Sequence, residues 1–272
     1  MTETILTVVR NLLEDDRVEE ALETALRASE QETADAAVFV ALAEAAAAMD
    51  DYRQTARASR KALLLLADES SPLCRDAWFQ AAWADWRTWD FEAAERCLRK
   101  CLELDGDMAA AWDLLASVLE FQGRKKESEE AYQRAAHLSP RDFPPPTQIS
   151  DKEMNYLLEE SLAELPLMLQ AAAREVSIVV RELPDRDMAV GEGGDDLLPP
   201  DLLGLFVGTP RPERSSMNSW EQPPVIFLFK RNLELTCTDR SSLLDEIVTT
   251  LRHELAHYLG FAEDDMERLG LE

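Results

Sequence analysis

Histidine, cysteine and glycine are scarce in this chain of 272 residues, at three, four and nine, and its 28 basic side chains face 54 acidic ones. Each shortage excludes something. The four cysteines, Cys74, Cys97, Cys101 and Cys237, form no Cys-x-x-Cys pair. Cys97 and Cys101 lie one helical turn apart with no histidine near them, so neither a disulfide framework nor a cysteine-based metal site is expected. Buried, reduced thiols are, and with them a reducing compartment. A net charge of -26 disfavours nucleic acid and anionic membranes as partners, because both need basic patches. No apolar run is long enough to cross a bilayer; the longest, Ala36 to Met49, is alanine-rich and broken by Glu44. The opening Met1-Thr2-Glu3-Thr4 lacks the basic stretch of a signal peptide, so a cytoplasmic protein is expected. What remains is 46% hydrophobic, enough for real cores, and the length suits two domains.

The reactive residues are concentrated in one stretch. Two of the three histidines fall in Arg252-His253-Glu254-Leu255-Ala256-His257-Tyr258-Leu259-Gly260, with Glu263, Asp264 and Asp265 just beyond. Residues four apart stack on one face of a helix. His253 and His257 can therefore offer ring nitrogens to one metal ion. Glu254 is rotated by about 100° from His253, which places its carboxylate beside the metal, able to take a proton from water. This is the H-E-x-x-H logic of zinc peptidases. Leu243, Leu244, Ile247, Val248 and Leu251 supply an apolar helical face upstream, with Ser241 or Ser242 as N-cap and Asp245 and Glu246 in the first turn. Gly260 ends the helix. A catalytic zinc needs a third protein ligand, and one of the three carboxylates after the bend can provide it.

The segment resembles the zinc signature of the bacterial minimal zincin-like metallopeptidases, H-E-x-x-H-x-x-G-x-x-D. His253, Glu254, His257 and Gly260 match, and Glu263 stands where the family has aspartate. The resemblance implies Zn2+ held by His253, His257 and Glu263, with Asp264 or Asp265 as substitutes for the third ligand, and Glu254 as the catalytic base. It extends upstream to Leu198–Gly208, similar to the family's Leu-Leu-Gly-Leu turn, and to Pro223–Arg231, similar to its Pro-x-x-Ile-x-Leu strand. In zincins generally an edge strand pairs with the extended substrate. Val225 to Phe229, or the segment around Leu205, is the counterpart here.

The first half repeats itself. Trp78 and Trp112 stand 34 apart, as do the patterns that open at Phe91 and Lys125, and those at Val18 and Tyr52. Repeats fall at about 2–35, 36–69, 75–108 and 109–142, with a short insertion near Glu69 to Pro72. Trp112, Leu115, Ala116, Gly123, Tyr132, Ala135 and Pro140 resemble the tetratricopeptide consensus; Trp78, Ala81, Ala82, Phe91 and Ala94 carry it in the preceding repeat. A single helix pair cannot bury its own face, so such repeats must stack. The resemblance implies a concave groove for a protein or peptide partner, onto which Trp83 and Trp86 would face together with Glu44, Asp113 and Glu120.

Phe143-Pro144-Pro145-Pro146 is an extended spacer. The expected division is 1–142 for the repeats, 143–151 for the linker and 152–272 for the second domain. There, a helix from Ser150 or Asp151 to about Arg174, a strand at Val176–Val180, a loop from Leu183 to Pro200, a strand at Val225–Phe229 and the histidine helix are expected. The fold class is thus multidomain: an all-α tetratricopeptide-repeat solenoid, then a small α+β zincin-like domain. The expected function is a zinc metallopeptidase in which Glu254 activates the water that attacks a peptide bond, with the repeats recruiting a partner. The alternative is a non-proteolytic adaptor that keeps the zincin-like fold.

Overall fold

The computed structural model describes residues 4–68, 70–190, 197–213, 223–261 and 265. The chain divides into two compact units, Met1–Pro145 and Pro146–Glu272.

In the first unit, eight helices form four successive pairs: α1 (Ile5–Glu14) with α2 (Val18–Ser29), α3 (Ala36–Ala48) with α4 (Tyr52–Leu65), α5 (Pro72–Arg87) with α6 (Phe91–Leu104), and α7 (Ala109–Phe121) with α8 (Lys125–Leu138). The repeat is written into the backbone between the helices of each pair. Asp16, Asp50, Trp89 and Gly123 all adopt positive φ, at 60°, 54°, 64° and 76°. After each comes the same hydrogen bond of 2.9 Å: Arg17 N–H to the Leu12 carbonyl, Asp51 to Ala46, Asp90 to Asp85, and Arg124 to Leu119. A left-handed residue closing a helix end in this way is the usual helix C-terminal turn. Only the fourth repeat uses glycine. Tryptophan at such a position is strained, but Trp89 is only 6% exposed and packs against Phe91 and Phe121, both at ring-centroid distances of 5.6 Å. That aromatic packing offsets the backbone cost.

Side-chain size sets the spacing of this array. Ala21, Ala25, Ala41, Ala43, Ala45, Ala58, Ala62 and Ala77 form much of its core. Methyl-sized side chains let helices approach closely. Charged residues stitch the repeats together: the Arg10 guanidinium of the first pair donates to Glu44 of the second and, at 2.7 Å, to Asp76 of the third, and Arg60 pairs with the buried Asp85. The cysteines are free thiols. Burial pushes Cys97 and Cys101 up to about 12 and Cys237 up to about 11.

The second unit opens with α9 (Asp151–Glu164), capped by the Ser150 side chain, and α10 (Leu167–Ala173). A single helix to Arg174 does not form. Pro166, which has no N–H to donate, separates the two and starts α10. Then come β1 (Ser177–Arg181), β2 (Gly204–Val207), β3 (Val225–Phe229), α11 (Lys230–Thr236) and α12 (Arg240–Leu259). The sheet order is β1-β3-β2, with β1 parallel and β2 antiparallel to β3. The central strand β3 carries Ile226 and Leu228, both fully buried, as its β-forming run requires. With both sides of β3 occupied, Val225–Phe229 cannot receive a further strand; the two edges of the sheet belong to β1 and β2. Leu243, Ile247, Leu251, Leu255 and Tyr258 of α12 fill one core with Leu157, Leu169 and Leu233.

Sequence reading gave α11 no place, because Lys230, Arg231, Asn232 and Glu234 look like solvated loop. All four are buried. They act as a polar clamp. Asn232 Nδ2 donates to the Pro200 and Leu202 carbonyls at 2.9 and 2.7 Å, and Glu234 accepts from Ile149 N–H at 3.0 Å. The segment entering β2 is therefore fixed by hydrogen bonds to an adjacent short helix, as buried polar groups require.

Candidate metal and catalytic site

The site is built on α12. Its N-cap is Asp239, whose carboxylate accepts from Ser241 and Ser242 N–H, both at 2.9 Å, while Ser242 Oγ accepts from Asp239 N–H at 3.2 Å. This capping box starts the helix earlier than Ser241 or Ser242 and moves Asp245 and Glu246 out of the first turn. At the other end Gly260 takes φ 88° as the left-handed cap. Space demands glycine there as well: a Cβ would stand 2.8 Å from Pro212 Cγ.

Twenty residues of α12 leave three distinct faces. Leu251, Leu255 and Tyr258 point into the core; Tyr258 is fully buried and its hydroxyl donates to Glu175 at 2.8 Å. Thr250 and Glu254, one turn apart, lie against β2, where a Cβ on Gly204 would come within 2.5 Å of Thr250 Cγ2 and 3.0 Å of Glu254 Cγ. His253 and His257 make the third face, half-buried. Their Nε2 atoms are 3.1 Å apart and their rings nearly perpendicular, at 84°.

That separation suits a shared metal. Two nitrogens bound to a tetrahedral zinc at about 2.0–2.1 Å lie roughly 3.3 Å apart. The donor chemistry fits as well, since imidazole is a favoured zinc ligand. Glu254 is 7% exposed, and its Oε2 accepts a hydrogen bond from Phe206 N–H at 2.6 Å. The proposed third ligand, Glu263, lies outside the described residues, as does Asp264. Asp265 is described, but among the described residues no group of three histidine, cysteine or acidic side chains forms a metal-holding cluster.

In the first unit, Trp83 is half-buried with the Arg87 guanidinium 5.5 Å from its ring centroid. Trp86 is only 7% exposed, and its indole N–H is buried with no acceptor among the described residues. It therefore presents little surface to a partner. One repeat later, burial pushes the Asp113 carboxyl up to about 6. No helix among the described residues is long and apolar enough to cross a membrane.

Sequence reasoning offered the segment around Leu205 as an edge strand only through the family resemblance, and missed the main-chain contact that β2 makes with Glu254. The signal was present in Leu205-Phe206-Val207, three β-formers in a row, but lay between glycines that suggested a turn.

Comparison with known proteins agrees with the two-part architecture. Residues 173–271 match the family model of the zincin-like metallopeptidases, and residues 76–108 and 109–142 each match that of the tetratricopeptide repeat. No curated protein matches the chain. Among solved structures, MamA is 16% identical over 49% of this chain and 75% of its own, with a TM-score of 0.42. A MamA fragment from Desulfovibrio magneticus RS-1 is 20% identical over 50% of this chain and 74% of its own, at 0.42. YrrB, described as a TPR protein with an unusual peptide-binding site, is 14% identical over 50% of this chain and 68% of its own, at 0.43. The chain thus carries tetratricopeptide repeats followed by a zincin-like metallopeptidase domain.

Proposed function

We propose that the chain is a zinc-dependent metallopeptidase whose repeats hold a protein or peptide partner. The observation that supports it is the convergence of His253 and His257 Nε2 atoms at 3.1 Å, beside a buried Glu254 on the same helix. In this reading His253, His257 and Glu263 hold Zn2+. When bound, zinc supplies Lewis acidity toward the scissile carbonyl and the attacking water. Glu254 accepts the proton of that water and returns it to the leaving amine, the general acid–base role of a carboxylate within reach of both. Trp83 of α5 and Asp113 of α7 belong to the proposed partner groove, to which the buried Trp86 adds little surface.

The test is digestion of an unfolded protein, such as reduced and carboxymethylated lactalbumin, by the zinc-loaded full chain and by Glu254→Gln. The variant should retain zinc and lose about 100-fold or more in rate. Equal rates would remove Glu254 from the mechanism. No cleavage by either would favour the adaptor reading.

A further inference from the structure

Among the described residues, β2 is one of the two edge strands of the three-stranded sheet, the other being β1. Phe229 N–H donates to the Leu203 carbonyl at 2.9 Å, and the register then sets Gly204 opposite Leu228 and Phe206 opposite Ile226. Along an antiparallel ladder, residues alternate between pairs that exchange hydrogen bonds and pairs that do not. Leu203, Leu205 and Val207 accordingly turn their main-chain groups toward β3. Gly204 and Phe206 turn theirs away, toward the open edge. An outward amide on an edge strand ordinarily meets water or another chain. The Phe206 amide meets Glu254 Oε2 instead, at 2.6 Å.

The contact is prepared from both sides. A methyl group on Gly204 would lie 2.5 Å from Thr250 Cγ2, 3.0 Å from Glu254 Cγ and 3.2 Å from Glu254 Oε1. The helix can come this close only because residue 204 has no side chain. Glutamate has three rotatable side-chain bonds, and nothing in the H-E-x-x-H spacing fixes where its carboxylate points. Here one oxygen is fixed by a main-chain donor, and the other lies over the gap left by glycine.

We propose that β2 is the positioning element for Glu254, with the Phe206 amide and the side-chain-free Gly204 together aiming its carboxylate. The proposal rests on the reading of Glu254 as the base. Gly204 and Phe206 are positioning residues and touch no substrate in this role. A consequence follows for peptide docking: a chain laid along β2 meets outward carbonyls, while the amide of Phe206 is already engaged.

Amide hydrogen exchange on the metal-free full chain, read by NMR, tests this without any activity. The Phe206 amide should be protected in the wild type. In Glu254→Ala it should exchange at least about tenfold faster, as loss of a hydrogen bond to a charged group requires. Leu205 and Val207, bonded to β3, should stay within about twofold, because their partners are untouched. An unprotected Phe206 amide in the wild type, or equal rates in the two proteins, overturns the proposal. If Glu254→Ala loosens the whole strand, Glu254→Gln decides instead. It keeps an acceptor oxygen, so Phe206 should remain protected, and loss of protection at Phe206 there overturns the proposal.

A kinetic arm follows in the zinc-loaded protein. Phe206→Pro removes the outward N–H together with the ring that packs beside Tyr258, at a position where an edge strand tolerates proline, whereas Phe206→Leu removes the ring and keeps the N–H. The proline variant should lose kcat by about tenfold or more at unchanged zinc content, and the leucine variant should not. Equal losses overturn the proposal. Protection of Phe206 in a chain that cleaves nothing would sink the peptidase reading while leaving the positioning intact. Cleavage without that protection would do the reverse.

Discussion

Alanines such as Ala41, Ala45 and Ala62 form much of the interior of the first unit, whereas Leu243, Ile247, Leu251 and Tyr258 fill that of the second. The polar residues differ in the same way. Those of the repeats are spent between helices: Arg10 on Glu44 and Asp76, Arg60 on Asp85. Those of α12 are turned toward one another and toward a strand: His253 to His257, Glu254 to Phe206. Small side chains repeated along an array let identical pairs stack without a dominant centre. Large side chains around one helix fix it firmly, and a firmly held helix is what two imidazoles need to meet at one point.

That contrast can be broken by exchanging the packing rules. Leu251→Ala, fully buried on α12, should destabilise the chain by about 2–5 kcal/mol, because the cavity cannot collapse around a single core. Chemical denaturation measures it, and a loss under about 1 kcal/mol would mean that α12 is not the keystone of its unit.

Asp113→Asn sharpens the contrast through pH. Burial raises this carboxyl from 3.8 to about 6. The folded state holds the proton more tightly than the unfolded one, so its contribution to stability is present below about pH 4 and lost as pH rises through 6. The variant should therefore exceed the wild type by roughly 2–3 kcal/mol at pH 7, with the gap closing on acidification to pH 4. Melting temperatures of both proteins across that range check the sign.

In the opposite direction, Ala45→Leu adds three heavy atoms at a fully buried position, at a cost of about 1–3 kcal/mol by denaturation. The smallest effect belongs to Asp16→Gly. It relieves a left-handed residue with φ 60° and should raise stability by up to about 1 kcal/mol. A decrease would show that the Asp16 side chain does more than occupy the turn.

Much of this was legible in the sequence, for identifiable reasons. Helical spacing alone brought His253 and His257 to one face, and Gly260 marked the bend that follows. The 34-residue offset between Trp78 and Trp112 placed the helix pairs. The turns themselves were hidden, because Asp16, Asp50 and Trp89 do the work that glycine does only at Gly123. Pro166 was overlooked because apolar residues continue across it, and α11 because burial of Lys230, Asn232 and Glu234 depends on partners at Asp151, Pro200, Leu202 and Ile149 that no local window contains. The Phe206 contact to Glu254 is of the same kind, joining positions 48 residues apart. Spacing tells which side chains share a helix face; it does not tell which strand comes to meet them.

In the proposed function, His253 and His257 together hold a metal ion. Elemental analysis of the mildly purified full chain tests it directly. About one zinc per chain is expected in the wild type, and close to none when both His253→Ala and His257→Ala are introduced. Equal zinc in the two proteins, or none in the wild type, would contradict it.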